Sequence, residues 1–246
     1  MGDQTQSEIK VELISDPEDV RSAFDVVYQC FGVQVPDAII FAYNPGVDTP
    51  EGRASAAQRY VDRFQSSTSR DKHGRPNSIF LKATAYVSGK PKIVGFCIWE
   101  QLSVVDGYGQ PPVDLDQVVD LEKLYPGDKS EQRYLVMMDR NLHRPRTELV
   151  KSKIYADPPA ILALDLMVTH PDFQRRAIAR TCVQWGLDEA KRRGGLECST
   201  EASVMGRLVY TKMGFKQEGD EIDYGVDGAK FASRGMPSNI FLRTNT

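Results

Sequence analysis

Six consecutive residues, Gln174-Arg175-Arg176-Ala177-Ile178-Ala179, close the turn in the stretch LDLMVTHPDFQRRAIAR, between an apolar strand and a helix. Their chemistry suits an anion. The first amides of a helix have no partner inside it, and the helix dipole puts partial positive charge at the same end. Phosphate is the usual guest of such a place. Arg175 and Arg176 add charge there, and Arg180 follows about one turn later. Cations at a helix N-terminus oppose the dipole and want a compensating anion. The bland alternative is an arginine pair solvated at a loop, and any phosphate-bearing ligand would satisfy the turn.

A second cluster lies in SVMGRLVYTKMG. At about 100° per residue, Val204, Met205, Leu208, Val209 and Met213 cover one side, which predicts that face as core. Ser203, Gly206 and Tyr210 fall on another strip. A glycine one turn before an off-core tyrosine lets another group approach the backbone closely. Otherwise the ring packs at the core edge with its hydroxyl in water.

These residues need elements to hold them. IKVELIS alternates like a half-buried strand, and Asp16 before Pro17 starts a helix whose apolar residues recur to Phe31, with Gly32 as its stop. Residues 33–50 read as a loop with room for a short helix, and EGRASAAQRYVDRFQSS as a helix. Two β-rich runs around SGKP make a hairpin. From Leu102 to Pro159 the chain turns polar and Pro-rich, with helices expected near 115–123 and 129–142; no strand run there starts a second core, so it reads as an insertion in a single domain spanning 1–246. Strand, helix, strand, helix follow, and EIDYGV and NIFLRT are tail strands. A hairpin followed by a β-α-β-α series implies a mixed α/β sheet with helices on its faces.

Composition narrows the classes. Of 246 residues, 41% are hydrophobic and 26% charged, and the net charge of −3 offers no global field for nucleic acid or anionic lipid. Four scattered cysteines without CxxC spacing and three scattered histidines argue against a metal site. No run approaches a membrane span, and MGDQTQSEIK has no apolar signal region. The expectation is a reduced, cytoplasmic protein without membrane or nucleic-acid partners. The oligomeric state is not written in the sequence.

The turn resembles the acetyl-CoA motif of the GCN5-related N-acetyltransferases, Q/R-x-x-G-x-G/A; Ala179 fits its second small position and Ala177 departs from the first. TEASVMGRLVYTKMGF resembles that superfamily's later strand-helix block, through Glu201, Ala202, Ser203, Gly206, Tyr210, Lys212, Gly214 and Phe215. Together they cover residues 161–215, in the superfamily's order. The resemblance implies a mixed, mostly antiparallel central sheet flanked by helices (α+β), carrying a helical insertion over 102–159. It implies acetyl-CoA as co-substrate, no metal, and direct transfer of acetyl to a primary amine of a small molecule in a ternary complex. An inactive CoA-binding module, or an enzyme acting on peptide or protein amines, remains the alternative. A nucleotide-binding Rossmann enzyme is disfavoured, because GxGxxG is missing and only one β-α-β unit is present.

Site roles follow from the same resemblance. Backbone groups of Leu166, Met167 and Val168 would pair with the pantetheine arm, and one N–H would face the thioester oxygen. Gln174, Arg175, Arg176, Ala177, Ile178, Ala179 and Arg180 would hold the pyrophosphate; the Cβ of Ala177 is expected to be tolerated with negative φ. Tyr210 would protonate the leaving sulfur as general acid. Glu201 and Asp165 are equal candidates for the base, with Glu100 behind them; a water chain is the other route. Asp165 alternates with Leu164 and Leu166, which turns it to the opposite face. Phe41, Tyr43 and Trp99 are candidate acceptor walls, though plain packing explains each of them.

Overall fold

In the computed structural model the described residues are 9–225, 231 and 233–244. Seven strands form one sheet: β1 (Lys10–Leu13), β2 (Ser78–Val87), β3 (Lys90–Leu102), β4 (Ile161–Thr169), β5 (Glu197–Ser203), β6 (Lys216–Glu221) and β7 (Asn239–Arg243). Their spatial order is β1-β2-β3-β4-β5-β7-β6. Every neighbouring pair is antiparallel except β4 and β5. The expected mixed, mostly antiparallel sheet is therefore present. At the β2–β3 turn Ser88 and Gly89 have φ of 51° and 77°, and two positive-φ residues match the twist of a two-residue hairpin.

Helices cover both faces, and strand alternation decides which side chain meets which helix. On one face Leu81, Cys97, Trp99, Leu162 and Leu164 pack with Cys182 and Val183 of α6 (Ile178–Arg192). On the other, Phe80, Phe96, Ile98 and Val168 pack with Val20, Phe24 and Val27 of α1 (Pro17–Tyr28) and with Ala56 and Val61 of α3 (Pro50–Ser66). Burying side chains of this size contributes about 1.5–3 kcal/mol each. Asp16 caps α1 by accepting from the Glu18 amide at 2.9 Å. Gly32 does not stop that chain: six residues, Gln29–Gln34, continue as a π-helical segment. The short helix of the early loop is α2 (Ala38–Tyr43), capped by Asp37.

The 102–159 stretch is helical, as expected, but its main helix is longer. After α4 (Leu121–Leu124), α5 runs Lys129–Ser152 and passes through Pro145. Its far half is tied to the sheet: Leu149 and Val150 pack with Leu102, Ile161, Ala163 and Phe241. That burial outweighs the penalty of about 3 kcal/mol for an interior proline. In the tail, NIFLRT contains β7, whereas EIDYGV is strand only at Glu221; Ile222–Gly225 is irregular, and Val226 lies outside the described residues. No helix among the described residues is long and apolar enough to cross a membrane.

Candidate active site

The sheet splits at its centre. β4 and β5 pair only through Ile161–Glu197, Leu162–Cys198 and Ala163–Ser199. Beyond Ala163, β4 runs on to Thr169 and no described strand pairs with it on that side. The Leu164 carbonyl accepts from the Thr200 hydroxyl and the Thr169 carbonyl from the Cys30 thiol; between them, no described strand on that side competes with an extended ligand for the backbone. Leu166, Met167 and Val168 lie along this edge.

A bulge shapes the same strand. Ile98 of β3 pairs with Leu166 and Trp99 with Leu164, so Asp165 is the extra residue. The bulge corrects simple alternation. Asp165 points to the face of α3 and α5, where it meets Arg63 and Arg146, and Leu166 packs in the core on the α1–α3 side.

At the end of β4 the chain reaches the arginine turn and α6. Ala177 is the N-cap residue, and no side chain caps this helix. Its φ is +62°, and Arg175 also has positive φ, +60°. The expected negative φ at Ala177 is thus corrected. The left-handed conformation costs a non-glycine residue about 1–2 kcal/mol. Arg175, Arg176 and Ala177 are exposed. Arg176 stacks its guanidinium 4.9 Å from the Phe173 ring centre, and the Gln174 amide donates to Gln34 at 2.8 Å. Arg175, Arg176 and Arg180 form no ion pair with a described residue.

Tyr210 sits on α7 (Val204–Tyr210) and belongs to the core, against the expected orientation. Val204, Met205 and Leu208 are the exposed side chains of this helix. The ring of Tyr210 folds back over Gly206, where a Cβ would stand 2.7 Å from Cε2. The group that needs this glycine is Tyr210 itself. Burial, and then the nearby thiols of Cys97 and Cys182, push the Tyr210 hydroxyl well above its ordinary value, which keeps it protonated.

Across the α3–α5 face of the split runs a chain of alternating charges. Arg63 donates to Glu100 and Asp165, both at 2.7 Å. Arg146 donates to Asp165 at 2.8 Å and to both oxygens of Glu201. The structure therefore brings the candidate acids Asp165, Glu201 and Glu100 together and links β3, β4 and β5 through two guanidinium groups. Burial alone would raise Asp165, but Arg63 and Arg146 outweigh it and hold the carboxyl far below the usual range. So stabilised an anion is a poor proton acceptor, and both oxygens of Glu201 are engaged by Arg146.

Beside this chain stands a smaller cluster. His143 Nδ1 lies 3.1 Å from Asp139 Oδ1, and the Tyr43 hydroxyl donates to the same oxygen. Burial and then Arg146 push His143 down; the hydrogen bond and charge of Asp139, with Glu201, overcome them and leave it raised. Of the suggested acceptor walls, Tyr43 reaches this cluster, Phe41 packs against the α1–α3 core and Trp99 is fully buried against α6. Sequence reasoning passed over Arg63, Asp139, His143 and Arg146. The signal in α5 was helical spacing: Asp139 and Arg146 share a buried stripe with Leu135, Met138, Leu142 and Leu149, where charge has to be paired.

No family model matches the chain, and no curated protein matches it. Solved structures do. A mosquito arylalkylamine N-acetyltransferase-like protein (like 5b) is 14% identical, with 96% of this chain and 98% of that chain covered, at a TM-score of 0.56. Arylalkylamine N-acetyltransferase 2 of Aedes aegypti is 16% identical, with 96% and 98% covered and a TM-score of 0.54. A Corynebacterium glutamicum protein described as histone acetyltransferase HPA2 and related acetyltransferase is 14% identical, with 98% of each chain covered and a TM-score of 0.54. The chain has the fold of the GCN5-related N-acetyltransferases.

Proposed function

We propose that this protein is an acetyl-CoA-dependent N-acetyltransferase that moves acetyl directly to the primary amine of a small molecule. The observation that carries it is the unpaired edge of β4 beyond Ala163, leading straight to the uncapped N-terminus of α6. The pantetheine arm of acetyl-CoA would pair with backbone groups of Leu166, Met167 and Val168. Its pyrophosphate would take the amides of residues 177–180, with Arg175, Arg176 and Arg180 at hand. The side chain of Ala177 ends at Cβ and the residue is exposed, so its N–H would still serve an anion.

Transfer needs a polarised carbonyl, a neutral amine and a proton for the leaving thiolate. A free β4 amide beside the bulge would support the first as an oxyanion donor. Holding thioester and amine in line supplies much of the acceleration without a covalent intermediate. Tyr210, kept protonated by burial, would give its hydroxyl proton to sulfur. Asp165 and Glu201 serve by fixing Arg146 across the split rather than by taking a proton. The helices α2 and α5, which bring Tyr43 and His143 to the acceptor face, favour a small acceptor over a polypeptide. Two neighbours of the same fold carry the name arylalkylamine N-acetyltransferase, which agrees with such an acceptor.

The test is thiol release from acetyl-CoA over parallel panels of small amines and peptides. Release with a small amine is the expected result. Release with peptides alone would replace the acceptor class, and silence with both panels would contradict the enzyme.

A further inference from the structure

With the carboxylates of the split paired to arginines, the amine still needs a group to take its proton. We infer that His143 is that general base, held by Asp139, which is anchored in turn by the Tyr43 hydroxyl; this rests on the acetyl transfer proposed above. Three observations on geometry carry it. Asp139 Oδ1 lies 3.1 Å from His143 Nδ1; in the neutral ring a proton on Nδ1 faces that carboxylate and leaves the lone pair on Nε2. His143 makes no hydrogen bond to any other described residue, so none of them engages Nε2. The side chain of His143 is 29% exposed, whereas those of the carboxylates Asp139, Asp165, Glu201 and Glu100 are 15% or less. Among the described charged groups of this cluster, His143 is the accessible proton acceptor.

The groups around the ring come from four elements. Asp139 and Arg146 share α5 with it, Glu201 faces it from β5, Asp165 from β4, and Tyr43 reaches Asp139 from α2. In the step itself, the acceptor ammonium gives one proton to Nε2, and the imidazolium later releases it to solvent. The amine lone pair forms the C–N bond, the C–S bond breaks, and the thiolate takes the Tyr210 proton. The second proton lost from nitrogen returns through water to the tyrosinate. The sum is one amide, one thiol and one proton.

The experiment compares the pH dependence of kcat for wild type, His143→Gln and Asp139→Asn, each with its acetyl-CoA affinity by calorimetry. Wild-type kcat should fall on the acid side as the imidazole protonates. His143→Gln should lower kcat about a hundredfold, lose that acid limb and regain rate with added imidazole, while acetyl-CoA affinity stays unchanged. Asp139→Asn should shift the limb. A His143→Gln enzyme with wild-type rate and an intact limb would overturn the assignment while leaving the transferase reading standing. A wild type that turns over no amine would overturn both.

Discussion

Ala177 and Tyr210 are where single side chains decide most. At Ala177 φ is +62°, a conformation glycine adopts freely. Ala177→Gly should raise unfolding free energy by about 1 kcal/mol, read as a shift of the urea midpoint at constant slope. Acetyl-CoA affinity should tighten or hold; clear loss would show that the turn does not face phosphate. A backbone angle set by the turn could not be read from residue type, which is why a negative φ was expected. At Tyr210 the expected off-core placement fails, because the ring folds back over Gly206 into the core; its role as general acid is the proposal under test. Tyr210→Phe removes only the hydroxyl, so kcat should drop by about a hundredfold with acetyl-CoA binding unchanged in calorimetry. Unchanged kcat would remove the general acid from the mechanism.

Among the elements, α6 and the strands other than β6 were legible because their apolar periods match their burial; β6, KQEGDE, is polar and exposed throughout, so no period marks it. The α7 helix was legible but its facing was not: Val204, Met205 and Leu208 make an apolar stripe that the structure leaves exposed, and amphipathicity alone pointed the wrong way. α6 illustrates a tighter constraint. A Cβ at Gly186 would stand 2.1 Å from the Trp99 indole, so Gly186→Ala should destabilise by about 1–3 kcal/mol through overpacking, visible in urea unfolding. The role of α5 was hidden because its charges act on residues far away in sequence. Arg146 lies 19 positions from Asp165 and 55 from Glu201, and no local pattern connects them. Arg146→Met leaves two buried carboxylates without their shared partner. A loss of about 3–5 kcal/mol is expected; a loss under about 1 kcal/mol would mean that the network is not what joins β4, β5 and α5.

For the whole molecule, pH dependence of stability follows from the same charges. Asp165 titrates in the folded protein below its unfolded value of about 3.9. Its stabilisation is complete above that value and is lost as pH falls further. His143 titrates above its ordinary value, so its contribution is complete below about 6.5 and fades as pH rises past its folded value. Urea midpoints should therefore fall steeply below about pH 4 and decline gently on the alkaline side. A flat profile below pH 4 would contradict the ion chain. The fold at this scale was legible from two short blocks, because the split sheet and the arginine turn belong to one contiguous stretch, 161–215. The charged face of the split was less legible, since it assembles from α2, α3, α5 and three strands. The central claim is that the β4 edge and the α6 turn together hold acetyl-CoA. The most direct measurement is calorimetric titration with acetyl-CoA and, separately, with acetylated pantetheine lacking the nucleotide. Saturable binding of one acetyl-CoA, tighter than the truncated thioester by about tenfold, is the predicted result. Equal affinities would remove the phosphate site, and no binding of acetyl-CoA would contradict the claim outright.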